Sequence, residues 1–150
     1  MTYNMQLLVH HNEIAVFVAR IFLGLLFFFQ GYDAVFRIKV GGVIETIKQP
    51  LMNKGVPKFF IRAGAYFTSY AELICGTFLL IGFVKYYSLY FLGIDLLFAA
   101  FAFGIIKPMW DMQFVFPRLV LLIFLLIVPT EWDVLSIDYN WSFIKFIKSF

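Results

Sequence analysis

Four ionisable residues fall well inside apolar stretches of the chain: Arg20, Glu72, Asp95 and Arg118. An unpaired charge at a bilayer centre costs about 2.5 to 3.5 kcal/mol even on the mildest scale, so each of the four needs a partner or a wet cavity. Two bases and two acids can supply partners to one another. A guanidinium is a planar, multi-donor hydrogen-bonding group, and a carboxylate accepts a proton, so the same set could also line a ligand pocket. Measured from the outer end of each apolar stretch at the helical rise, Arg20 lies ~9 Å deep, Asp95 ~12 Å, and Glu72 and Arg118 each ~16 Å. These depths predict pairs of Arg20 with Asp95 and of Arg118 with Glu72, and a single shared cluster would satisfy them equally. Gln30 and Asp33 lie about 25 Å or deeper by the same rise, where they are expected to cap the exit of the first helix and stand as secondary candidates.

The spacing around these residues says which way they point. Arg20, Gly24, Phe27 and Gly31 form one narrow seam, as do Ala65, Ser69, Glu72 and Gly76, and Ser88, Asp95, Ala99 and Ala102. Small residues let membrane helices approach closely, so Gly24, Gly31 and Gly76 are read as helix-packing positions and the charged residues as interior. Arg118 is followed by Leu122 and Leu125, a seam without small residues.

The elements that carry these seams are membrane spans. Of 150 residues, 63% are hydrophobic, 21 are Phe and only 14% are charged, too few polar side chains to cover a water-soluble fold of this size. Disorder and nucleic-acid binding are excluded with it. Four apolar stretches approach the ~20 residues that cross a hydrocarbon core: Ile14 to Phe36, Ala63 to Phe83, Tyr87 to Ile106, and Met112 to Pro129. The fourth is expected to start after Asp111 as N-cap, with a kink at Pro117. The fold class is therefore all-α, a polytopic four-helix membrane bundle forming one domain over 1–150. The first stretch is too long for a signal-peptide core and is expected to stay in the mature protein. In the connection between the first and second spans, Gly41, Gly42, Pro50, Gly55 and Pro57 leave room for a short interfacial helix at Val43 to Gln49. The tail 131–150, with Trp132, Trp141, Lys145 and Lys148, is predicted to lie in the headgroup layer.

Seven basic residues, Arg37, Lys39, Lys48, Lys54, Lys58, Arg62 and Lys107, fall on one side of these spans, against Lys85, Lys145 and Lys148 on the other. The positive-inside rule then places both termini outside. With a pI near 9.0, anionic lipid headgroups are the plainest match for the basic loops. The single cysteine, Cys75, reads as a helix-packing residue. His10 and His11 sit together in the tail before the first span, so no histidine pair is available inside the bundle for haem, and no metal site is expected.

Three stretches resemble the DoxX-like family of small four-helix membrane proteins. They are Arg20-Ile-Phe-Leu-Gly24 with Gly31; Ala71-Glu72-Leu73 with Gly76 and Leu79-Leu80-Ile81-Gly82-Phe83; and Asp111 through Pro117-Arg118 into Glu131-Trp132-Asp133 and Ser136-Ile-Asp138. Relatives often carry a basic residue shortly after the glycine that closes the first helix, whereas here Asp33 follows Gly31. The resemblance implies a membrane subunit of a quinone-linked or redox-homeostasis oxidoreductase complex in a bacterial-type cytoplasmic (inner) membrane. Such a subunit would work with protein partners. The chain has no recognisable haem, flavin, iron-sulfur or dithiol equipment, so it is expected to bring no redox cofactor and to act without catalytic residues of its own. On that reading the Arg and acid layer stabilises the bundle and is the candidate site for a quinone headgroup or small anion. A small-solute or proton transporter and a purely structural scaffold are the alternatives. The glycine seams leave a homodimer open.

Overall fold

The structure, a computed structural model, describes residues 2–106 and 112–141, with side chains from His11 to Ile106 and from Gln113 to Trp141. Among the described residues the helices are α1 (Thr2–Tyr32), α2 (Lys39–Met52), α3 (Lys58–Ile81), α4 (Lys85–Ile106) and α5 (Met112–Ile127), and residues 137–141 are also helical. A π turn, Asp33–Arg37, continues α1 directly, and a 3-10 turn, Thr130–Trp132, follows α5. No strand occurs among the described residues.

Three apolar spans are long enough to cross a membrane: His11–Arg37, Lys58–Ile81 and Lys85–Ile106. The apolar part of α5, Gln113–Ile127, is shorter. Contacts of α1 with α3, α3 with α4, α4 with α5, and α5 with α1 close a four-helix ring. Its core is built from Leu23, Phe27, Leu79, Leu92, Leu96 and Leu125. Outward, Phe29, Leu97, Phe101, Phe116 and Ile127 are all exposed, a surface suited to acyl chains and not to water. This is the helical membrane bundle that the apolar stretches predict.

The boundaries differ in three places. Helix α1 starts at Thr2, twelve residues before the expected Ile14, because its first residues contain no Gly or Pro and a helix needs no apolar side chains to continue. Helix α2 covers 14 residues where a seven-residue segment is expected. Its glycines and Pro50 are absorbed inside it, and the turn falls instead at Lys39 (φ 62°) and Gly55 (φ 86°). Helix α3 starts at Lys58, before the expected Ala63, since Pro57 with extended backbone (φ −64°, ψ 142°) serves as its entry. At the other end, Gly82 (φ 69°) stops α3 in the left-handed region, with its N–H donating to Leu79 O. Pro117 sits in the second turn of α5, and the helix runs through it. Asp111, Lys107 and the tail beyond Trp141 lie outside the described residues.

Helices α1 and α3 form the most extensive pair, antiparallel and in near-backbone contact. A Cβ on Gly76 would stand 2.5 Å from Phe28 N. One on Gly24 would meet Leu80 N at 3.1 Å, and one on Gly31 would drive into the backbone of Leu73. All three expected packing glycines therefore lie at this crossing. The matched positions, 24 with 80, 28 with 76 and 31 with 73, share one antiparallel register, which sets Arg20 beside the α3–α4 hairpin.

Gly31→Ala should lower the thermal unfolding midpoint in detergent, by an amount corresponding to about 1–3 kcal/mol of overpacking. Gly64→Ala, which has open space for its methyl, should leave the midpoint unchanged or raise it through helix propensity. Equal behaviour of the two variants would refute the close crossing.

Candidate functional site

The four interior charges divide between two clusters. The first stands at the hairpin end of the bundle. Arg20 is fully buried and its Nε donates to Asp133 Oδ1 at 3.1 Å. Its Nη1 donates to Leu79 O (2.6 Å) and Leu80 O (3.3 Å) in the last turn of α3, and Nη2 donates to Leu135 O (2.9 Å). The guanidinium thus caps one helix and ties down the segment after α5 at the same time. Lys85 Nζ approaches the other oxygen of Asp133 at 3.0 Å and lies 4.9 Å from the Tyr86 ring centre. Asp138 accepts from the backbone N–H groups of Val84 (2.9 Å) and Lys85 (2.8 Å), an N-terminal cap on α4 supplied from elsewhere in the chain. Its own N–H donates to Gly82 O at 3.0 Å. Gly82 admits this contact because a Cβ there would stand 2.7 Å from Ser136 Cβ.

The expected pair of Arg20 with Asp95 is therefore replaced by Arg20 with Asp133. The depth estimate took Ile14 as the outer border, but the α1–α3 register sets Arg20 level with the end of α3, where the chain after α5 folds back. That segment is a plug on the bundle: Asp133 and Ser136 are buried, and the expectation of a headgroup-layer tail fails for them.

The second cluster lies within the bundle. Glu72 on α3 accepts a 2.6 Å hydrogen bond from Gln30 Nε2 on α1. Gln30 was expected to cap an exit; its helix does not end there, and its amide reaches an interior carboxylate. Asp33, the other secondary candidate, pairs on the surface with Arg37 at 3.0 Å and takes no part. Asp95 on α4 and Arg118 on α5 both lie within electrostatic reach of Glu72, and Arg118 also of Asp95. Among the described residues, Arg118 makes no direct ion pair with either acid; its guanidinium sits 5.6 Å from the Phe27 ring centre. The expected Arg118 and Glu72 contact becomes a looser three-charge arrangement.

Asp95 is the least satisfied group in the protein's interior. It is 1% exposed, and among the described residues its carboxylate has a loose interaction with the Thr68 side chain but no hydrogen bond of full geometry. Ser69 Oγ, equally buried on the same helical face as Glu72, is likewise unsatisfied. Buried polar atoms without hydrogen-bond partners are uncommon; besides Lys85 Nζ and Asp133 Oδ2, which form an ion pair with each other, those here are Asp95 and Ser69 on the neighbouring helices α4 and α3. Cys75 is buried two turns from Ser69.

Depth and spacing do not place Asp133, Lys85 or Asp138 in the interior, although Asp133 and Asp138 belong to a stretch that carries the family resemblance. Asp133 and Asp138 lie beyond the last apolar stretch, and Lys85 lies in a three-residue hairpin, so nothing about their spacing marks them as interior. The left-handed Gly82 after Leu79-Leu80-Ile81 was the available signal for a helix end with carbonyls to satisfy.

The fold and its buried polar groups define a polytopic α-helical membrane protein. The DoxX family model matches residues 15–105, and the chain belongs to the DoxX family. No curated protein and no solved structure matches it. The matched region carries Arg20, Glu72 and Asp95, whereas Arg118 and Asp133 lie beyond it.

Asp133→Asn leaves Arg20 and Lys85 sharing a neutral partner in a buried site and should cost about 3–5 kcal/mol in unfolding assays in detergent. Asp95→Asn removes a buried carboxylate that has no hydrogen-bond partner and should hold or raise stability in the same assay. A loss with Asp95→Asn as large as that with Asp133→Asn would mean that Asp95 is already fully paired.

Proposed function

We propose that this DoxX protein is an accessory membrane subunit of a quinone-linked or redox-homeostasis oxidoreductase complex, with its interior cluster as the seat of a quinone headgroup. The observation that carries the reading is that Asp95 and Ser69, buried on the neighbouring helices α4 and α3 of the bundle that also holds Glu72 and Arg118, lack hydrogen bonds of full geometry. A quinone ring offers carbonyl oxygens that accept from Arg118 or Ser69, and its reduced form offers hydroxyls that donate to Asp95 or Glu72. The remainder of a ligand pocket in a membrane protein is apolar, as the Phe27, Leu92 and Leu96 surroundings are. The quinone would supply the electron chemistry; this chain would orient its headgroup and hold a proton at Glu72.

The family resemblance supports the assignment to a redox complex and to a bacterial-type cytoplasmic membrane. The basic residues clustered around α2 support an orientation with that connection inside and both termini outside. With a cysteine at position 54 in a Cys75→Ala background, an impermeant thiol reagent should label only permeabilised cells. Labelling of intact cells overturns the orientation.

The protein purified from native membranes in mild detergent should carry quinone in its organic extract and co-purify with oxidoreductase components visible in a reduced-minus-oxidised spectrum. Asp95→Leu should cut the quinone content about tenfold, the equivalent of losing one good buried hydrogen-bonding group. A lone, colourless chain with no quinone refutes the proposal.

A further inference from the structure

The end of the bundle opposite the α3–α4 hairpin carries an exposed basic border. Two of its cations are neutralised within their own helical turns: Arg37 by Asp33 at 3.0 Å and Lys48 by Glu45 at 3.1 Å. Lys39, Lys54, Lys58 and Arg62 are exposed and, among the described residues, have no ion-pair partner. They flank the two ends of α2 and the first turn of α3, so chain connectivity gathers four positive charges at one end of the molecule. The opposite end is built the other way. Its cations Arg20 and Lys85 are buried and paired, and no exposed Lys or Arg occurs there among the described residues.

We infer that this border is a binding surface for anionic phospholipid headgroups. Three features single out a lipid as the occupant. The cations lack internal partners, so a surface of opposite charge is the missing complement. Exposed Phe36, Phe59 and Phe60, at 58%, 73% and 65% exposure, stand among them and suit the boundary between headgroup and acyl chain. Helix α2, too short to cross, buries only Val40 and Leu51 and keeps its basic flanks at that boundary. Lysines and arginines held at headgroup height attract acidic lipids cooperatively and in a salt-dependent way. The inference is independent of any ligand in the interior cluster.

The test uses the full chain in nanodiscs of phosphatidylcholine, with and without 30% phosphatidylglycerol as a chosen composition. Lipid retained through purification is counted by native mass spectrometry. The wild-type chain should retain phosphatidylglycerol over phosphatidylcholine by about tenfold or more, and raising salt should erase most of that preference. K54Q/K58Q/R62Q should lose the preference while keeping its unfolding midpoint in phosphatidylcholine. If that variant fails to fold, the salt titration of the wild-type chain decides alone. Equal retention of the two lipids, or a preference that inorganic phosphate at millimolar concentration abolishes without salt dependence, overturns the inference.

Discussion

The near-backbone contact between α1 and α3 is the constraint on which the other contacts depend. Gly31 against Leu73, Gly76 against Phe28 and Gly24 against Leu80 admit one antiparallel register, since any shift would bring a side chain where only a hydrogen fits. Lipid tails are as apolar as the helices, so burial of apolar side chains does little to select one helix pairing over another, and close packing must do it. The register in turn decides which charges meet. It carries Arg20 to the last carbonyls of α3 and leaves Gln30 opposite Glu72.

The two polar clusters answer the cost of burial differently. At the hairpin end, Arg20, Lys85, Asp133 and Asp138 combine two cations with two acids and several backbone groups, so charge and helix ends are satisfied together. Such a network holds the segment after α5 against the bundle, where Trp132 also packs on the core. The interior cluster has the same kinds of residues but not the same closure, with Asp95 and Ser69 left without hydrogen-bond partners. It is on this incomplete closure, which stability alone would not favour, that the proposed quinone site rests.

Charge is also divided between the two ends. Among the described residues, paired and buried cations at the hairpin end contrast with exposed ones around α2. The residues on which the proposed orientation rests are thus the same as those inferred to bind anionic lipid.

Much of this fold was written in the sequence. Composition and the lengths of the apolar stretches determine a four-helix membrane bundle, because only helices satisfy the backbone of an open chain in lipid. The spacing of Gly24, Gly31 and Gly76 with Arg20 and Glu72 determines which faces turn inward, since helical periodicity is local. The partners were decided only by tertiary structure. Depth counted along a helix depends on where the membrane border falls, and the return of Asp133 to the bundle leaves no local trace. Arg20 could have met Asp95 or Asp133 with equal chemical sense; the packing of two helices at their glycines, a property of no single segment, chose between them.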